Sequence, residues 1–287
     1  MEDILDKPSR TLPTKTAIIA VADLHINSTV ALCPKVVNLD DGGSYTASRT
    51  QRWLWECWLN FIAEAKILTE GYRNVVIIDG DLTELDTAKR SVQLTTLNKS
   101  TILGIVTDTI APLVDISDVC YFIRGTSAHV GKSAWSEEAI AKDTYNTVAP
   151  GDGKFSWWHY RGVASGVKLD ISHHAQMGAT PWSRKNAANN MAAKIMWWYQ
   201  IDMGEKAPDL VLRGHNHTYA SSGDNYKCQV NYLPAWTTKT EFAYRVGYED
   251  VVSDIGGIIY LCENGRFTRH KVMFQPKENK RIWKVSM

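Results

Sequence analysis

Five short segments of the chain gather aspartate and histidine at close spacing: Asp23-Leu24-His25, Gly80-Asp81-Leu82-Thr83-Glu84, Gly125-Thr126-Ser127-Ala128-His129, His173-His174 and Gly214-His215-Asn216-His217. Carboxylate oxygens and imidazole nitrogens bind metals. In Asp23-x-His25 two such ligands stand two residues apart, so an extended loop can project both to one side and chelate a single ion. Asp81 carries two oxygens and can bridge two ions, and His173 or His174, with His215 and His217, adds imidazoles. This mixed N/O set suits Mn, Fe, Zn, Ni or Co better than calcium, and it has little use for thiolates.

The elements that must position these residues are legible in the apolar runs. Residues 16–22, 75–78, 119–123, 167–171 and 210–212 are short buried-strand patterns, and each runs directly into one of the five segments. Apolar residues at helical spacing predict a helix over 49–70 stopped by Gly71, a second over about 91–113, a short one over 136–145 and a fourth over 183–203. Strand, helix, strand implies right-handed parallel crossovers. In an open α/β sheet the loops at the carboxyl ends of the strands gather in one crevice, so five ligand-bearing loops there converge. A lone Asp or His would read as a helix cap or a solvated loop residue; the ordered five are what carry the chemistry. The stretch 131–166 is less regular, with a turn at Pro150-Gly151-Asp152-Gly153 and hairpin strands expected on either side of Gly162, and reads as an insertion. In the tail, strands over 258–261 and 267–273 flank a turn at Asn264-Gly265.

The ordered set resembles the calcineurin-like metallophosphoesterases, whose signature runs D-x-H, G-D-x-x-D or G-D-x-x-E, G-N-H-D or G-N-H-E, a lone H, and G-H-x-H. The resemblance extends from about residue 16 to 217. It implies an α/β fold, a four-layer αββα sandwich, as a single domain over 1–287 with the insertion around 131–166 and the C-terminal strands completing the second sheet. It further implies two divalent metal ions, manganese foremost, one held by Asp23, His25, Asp81 and His217 and the other by Asp81, His215 and His173. The activity implied is hydrolysis of phosphate esters by a hydroxide that both ions activate. His129 is the candidate for protonating the leaving group. Of His173-His174 the first is taken as ligand because it follows the strand most directly, and the second as facing substrate or supporting a ligand. Glu84 is expected to orient a neighbouring ligand or cap a helix. Arg124 and Arg213 flank the site and could pair with phosphate or form surface ion pairs.

The third segment departs from the family. It reads Gly125-Thr126-Ser127-Ala128-His129, so the asparagine that normally binds the second metal is missing and the histidine is displaced by two residues. Either Thr126 or Ser127 substitutes through an oxygen, or the loop bulges and His129 becomes ligand or acid. A weaker second metal is expected.

Composition narrows the partners. With 32 Lys plus Arg against 31 Asp plus Glu, the formal net charge of the 287 residues is +1, which gives no strong field for gripping duplex DNA or acidic membranes. Short or single-stranded nucleic acid and nucleotides stay open as substrates. The five cysteines are scattered, with no Cys-x-x-Cys pair, and fit a reducing compartment. No secretory leader or membrane-length apolar run is evident, so a cytoplasmic protein is expected. The 11 tryptophans, several paired, are expected to pack the core, with base stacking as the lesser reading. The leading function is a phosphodiesterase or nuclease ahead of a small-molecule or nucleotide monoesterase. The contrasting reading is a binding scaffold whose metal site has decayed.

Overall fold

Two periodicities in the apolar residues account for the layering. The structure, a computed structural model, describes residues 14–87, 93–175, 180–240 and 253–275. Along the chain come β1 (Lys15–Ala22), the ribbon β2 (Val36–Asn38) and β3 (Ser44–Thr46), α1 (Arg49–Leu68), β4 (Arg73–Asp79), α2 (Lys99–Val114), β5 (Val119–Ile123), the single turn α3 (Ser127–Val130) and α4 (Trp135–Asp143). There follow β6 (Tyr160–Ala164), β7 (Val167–Ile171), α5 (Pro181–Trp197), β8 (Leu210–Arg213), β9 (Ala220–Ser221), β10 (Gln229–Tyr232), β11 (Ile255–Glu263) and β12 (Arg266–Phe274). One five-stranded sheet has the order β12-β11-β1-β4-β5 and the other β6-β7-β8-β10-β9.

In β1, alternate residues serve different cores, as the period-two geometry of a strand requires. Ile19 and Val21 pack with Leu54, Trp58 and Phe61 of α1 and Ile105 and Val106 of α2. Ile18, Ala20 and Ala22 pack with Leu169, Ile171, Leu210 and Leu212 of the opposite sheet. A third core joins Ala188 and Ala192 of α5 to Val211 and Val230 on the far side of that sheet. The three cores separate four layers: helices, sheet, sheet, helix. This is the αββα sandwich that the motif resemblance implied.

The parallel register then sets the level of the loops. Ala22 pairs with Asp79, and Asp79 with Ile123, so the segments beginning at Asp23, Gly80 and Arg124 leave one sheet at one height. Ile171 pairs with Leu212, which brings the segments at Ser172 and Arg213 off the other sheet together. The stretch 131–166 contributes α4 to the outer layer, with Ile140 and Ala141 in its core, and β6 to the edge of the second sheet.

Several expectations are corrected. The C-terminal strands complete the first sheet: β11 lies antiparallel to β1, from Lys15 opposite Glu263 to Ala20 opposite Ile258. Residues of β11 are buried on both faces, Ile258 and Tyr260 toward the second sheet and Ile259 toward α1, which an interior position beside β1 satisfies. The hairpin predicted around Gly162 turns instead at Ser165-Gly166, between β6 and β7, and Gly162 lies inside β6 beneath the Tyr160 ring. Helix α2 begins at Lys99 because the Asn98 side chain caps it, accepting the Thr101 N–H; the earlier part of the expected helix falls partly on 88–92, outside the described residues. Helix α5 gives way to a π-helical turn over Trp198–Met203. Among the tryptophans, Trp58 and Trp236 are fully buried, but Trp158, Trp197 and Trp198 are 62%, 58% and 50% exposed. Consecutive helical residues point about 100° apart, so one inward face cannot bury both Trp197 and Trp198. Tyr199 takes that face instead. All five cysteines are buried and free, and among the described residues no helix is long and apolar enough to cross a membrane.

Candidate metal centre

The loop after β1 doubles back on the loop after β4: the N–H groups of Asp23, His25 and Ile26 donate to the carbonyls of Gly80, Asp81 and Leu82. Asn27 ties this pair to a third strand of chain, its amide donating to Glu84 O and Thr96 O while its oxygen accepts the Thr96 N–H. Beneath, Trp58, Phe61 and Trp236 form an aromatic cluster, and the Trp236 N–H donates to Asp23 O. Asp23 and His25 were expected to chelate from an extended loop. They do share one side, but through left-handed backbone, φ 53° and 45°. Asp81, His215 and His217 are also left-handed, at φ 48°, 73° and 53°. Such conformations disfavour residues with a Cβ and persist only where surrounding structure over-determines them.

Three trios of ligand atoms result among the described residues: a first of Asp23, His25 and His217, a second of Asp81, His173 and His215, and a further one in which His25 also meets Glu84 and His129. In the first, Nε2 of His217 lies 3.0 Å from Nε2 of His25 and 3.3 Å from Asp23 Oδ1. In the second, His173 Nε2 lies 3.1 Å from Asp81 Oδ2, and His215 Nδ1 is 3.9 Å from the same oxygen. These two trios adjoin, since His173 Nε2 is also 3.8 Å from Asp23 Oδ1.

Hydrogen bonds on the outer side of each ring decide what faces inward. His173 Nδ1–H donates to Asp79 O at 2.6 Å, so a neutral ring presents a lone pair at Nε2. His25 Nδ1–H donates to Glu84 Oε2 at 2.9 Å with the same consequence. Three buried atoms, Asp23 Oδ1, Asp81 Oδ2 and His173 Nε2, therefore have no hydrogen-bond partner and meet at 3.1 to 3.8 Å. Converging acceptors need a cation between them, and divalent ions fit this donor set of imidazoles and carboxylates. Without one, a proton takes that place. Burial opposes charge on His173, but Asp81 and Asp23 outweigh it and hold its pKa well above the usual histidine value. Burial likewise opposes charge on both carboxylates. His217 and His173 overcome this at Asp23, and His173 does so at Asp81, so each titrates below the ordinary range.

The remaining expected residues fall in definite places. Glu84 is clasped between His25 and His129, whose Nδ1 is 2.7 Å from the same Oε2. Despite its burial, those two hydrogen bonds lower its pKa to about 2. His129 sits edge-on to His25, ring centres 4.6 Å apart, and so adjoins the first trio. The third segment makes the helical turn α3, which carries His129 there and leaves Thr126 beside the second trio. Thr126 N–H donates to Asp81 Oδ1 at 2.5 Å, and its Oγ1 is 3.2 Å from His215 Nδ1 and 3.4 Å from His174 Nε2. His174 is exposed, its ring centre 5.2 Å from that of His215. Ser127 is exposed on the other side of the turn and lines a separate groove. Arg124 and Arg213 are both buried and paired inside the protein. Arg213 donates to Asp170 Oδ1 at 2.6 Å, and Arg124 donates to Ser156 Oγ and Glu138 Oε2. Surface pairing describes neither of them.

Two acids went unnoticed in the sequence. Glu137, in the first turn of α4, accepts the Gly125 N–H at 2.7 Å and the Leu82 N–H at 3.3 Å, so it pins together the loops around Asp81 and Thr126. Burial pushes its pKa up to about 8. Asp79 ends β4 with both carboxylate oxygens buried and unpaired, and burial pushes it up to about 7. Glu137 looks in sequence like an ordinary acid at a helix start. Asp79 directly follows the apolar run 75–78, and nothing local marks it as buried.

No protein-family model matches the chain, and no curated protein matches it. Among solved structures, a dimetal phosphatase from Danio rerio is similar at 10% identity, covering 92% of this chain and 100% of that one with a TM-score of 0.42. Vps29 from Chaetomium thermophilum matches at 11% identity over 90% of this chain and 98% of that one, TM-score 0.40. A metallophosphoesterase from Sphaerobacter thermophilus matches at 11% identity over 91% and 90%, TM-score 0.33. Overlap at that level is loose, and the chemistry is read from the site itself.

Proposed function

We propose that the chain is a cytoplasmic hydrolase of phosphate esters that works with two divalent metal ions, manganese foremost, and that its substrates are phosphodiesters such as nucleotides or short single-stranded nucleic acid. The observation that carries this reading is the meeting of buried, unpartnered lone pairs on Asp23, Asp81 and His173. Bound there, the ions would supply Lewis-acid neutralisation of phosphoryl oxygens and a water acidic enough to attack at neutral pH. Asp23, His25 and His217 would hold one ion and Asp81, His173 and His215 the other. Glu84 and the Asp79 carbonyl fix the tautomers of His25 and His173. The Thr126 hydroxyl stands by the second trio where the family has its asparagine. His129, held through Nδ1 by Glu84, is placed to protonate the leaving oxygen, and His174 borders the opening.

A diester is favoured over a monoester by charge. A monoester dianion needs cationic groups beyond the metals, and the two arginines flanking the site are committed to internal carboxylates. The scaffold reading is disfavoured by the five left-handed ligand residues, since strain of that kind has no purpose at a metal site that has decayed.

Metal-stripped protein resupplied with Mn should cleave bis-p-nitrophenyl phosphate faster than p-nitrophenyl phosphate, and Asp81→Asn should lose at least about 100-fold of either activity. Turnover by the variant at the wild-type rate would sink the assignment. His129→Asn should slow diesters with alkoxide leaving groups by about 100-fold or more and p-nitrophenyl esters far less, because nitrophenolate departs without a proton. Equal slowing of both would remove the acid role.

A further inference from the structure

A groove of about 670 Å³ opens beside the metal centre, against the outer side of the turn that carries Thr126 and His129. Among the described residues it shares no ligand side chain with the site, and the turn α3 stands between the two. Leu85 directly follows Glu84, and its N–H donates to His129 O; Ala128, between Thr126 and His129, accepts a hydrogen bond from the Thr87 hydroxyl. The walls are Leu85 and Trp135 with Leu97, just before the α2 cap, and Ile102 of α2, and Lys99 and Lys132 stand at the rim. Leu97 is 68% exposed, an apolar side chain left open to solvent. The Lys99 ammonium lies 4.9 Å from the Trp135 ring centre, so a cation and an aromatic surface are presented together. Among the described lining residues Asp86 is the one carboxylate, against Lys99 and Lys132, so their summed charge is positive.

A volume in the range of small-molecule sites, an apolar and aromatic wall, and two ammonium groups at one rim match a planar base attached to a further phosphate. The geometry points to a leaving-side subsite for a linear nucleotide chain, an inference that rests on the phosphodiesterase reading. The scissile phosphate sits at the metals, the departing nucleoside passes His129 into the groove, and its base lies against Leu97, Ile102 and Trp135. The next phosphate along the chain meets Lys99 and Lys132. The substrate class is thereby narrowed to di- and oligonucleotides, whose second phosphate cyclic mononucleotides lack.

The test compares the Mn-loaded wild type with Lys99→Gln/Lys132→Gln, both substitutions being on exposed side chains. The substrates are a dinucleotide carrying a phosphate on its leaving unit and bis-p-nitrophenyl phosphate. Binding of the same dinucleotide, fluorescently labelled, to metal-stripped protein is followed by anisotropy. The double variant should lose about tenfold in kcat/KM on the dinucleotide relative to bis-p-nitrophenyl phosphate, mainly through KM, and show a shallower dependence of binding on salt. Trp135→Leu should weaken dinucleotide binding as well. Unchanged dinucleotide kinetics and binding in the double variant, with both esters still cleaved, would overturn the groove and leave the hydrolase standing. If neither ester is cleaved but the double variant still loses dinucleotide binding, the groove stands as a nucleotide site and the hydrolytic reading fails.

Discussion

At the scale of single residues, the site is governed by which nitrogen of each imidazole carries its proton. His25 and His173 spend Nδ1–H on Glu84 and on the Asp79 carbonyl, and this aims a lone pair inward. Glu84 makes that bond and a second one to His129 while buried, and its pKa falls to about 2 from the ordinary 4.5. A carboxylate with a depressed folded-state pKa stabilises the fold fully above its unfolded value, and the contribution is lost as pH falls toward the folded value. In metal-stripped protein, Glu84→Gln should therefore be less stable than wild type at pH 5 to 7, and the gap should close as the pH approaches 2. Urea melts across that range would read it. A gap that stays constant with pH would show that Glu84 is not ionised in the way its contacts require.

At the scale of elements, ligand geometry depends on how closely two loops can approach. A Cβ on Gly125 would lie 2.1 Å from Asp81 N and 2.3 Å from Asp81 Oδ1, and one on Gly80, itself at φ 73°, would lie 2.3 Å from His173 Nδ1. The loop after β5 can reach Asp81 only because there is no side chain between them. Gly125→Ala should push the loops apart, lower stability by about 1–3 kcal/mol and abolish most metal binding. Calorimetric metal titration together with thermal melts would detect this, and a normal titration would rule out the close approach. Glu137 holds the same two loops from below through the Gly125 and Leu82 N–H groups. Glu137→Gln keeps one acceptor oxygen and should cost about 1 kcal/mol with a parallel drop in metal affinity; an unaltered affinity would reduce Glu137 to a packing role.

At the scale of the whole molecule, the candidate metal site lies at the seam of the sandwich. Asp23, Asp81 and Thr126 come from one sheet and His173, His215 and His217 from the other, so an ion that binds both sets links the sheets. A ligand that binds only the native state at about 100 times its Kd adds roughly 2.7 kcal/mol of stability, or roughly 4–5 °C in Tm for a chain of this size. Chelation should lower Tm by about that amount in wild type and by much less in Asp81→Asn. If the two proteins respond alike, the ions do not bridge the sheets.

The residue types and their order along the chain are local properties; they marked the candidate ligand residues and the strand before each, and through the motif resemblance they pointed to the four-layer fold. Helix α1 and the turn at Asn264-Gly265 were legible for the same reason, since caps, turns and periodicity act over a few residues. What remained open depends on pairings between distant segments. Whether β11 joins the first or the second sheet is decided by which neighbour buries both of its faces. Whether Thr126 or His129 stands beside the second trio is decided by a helical turn packed over Glu84. The roles of Asp79 and Glu137 exist only once burial has removed them from water. Spacing in sequence cannot encode these facts, because the energy that selects them comes from desolvation and close contact between residues brought together by the register of the two sheets.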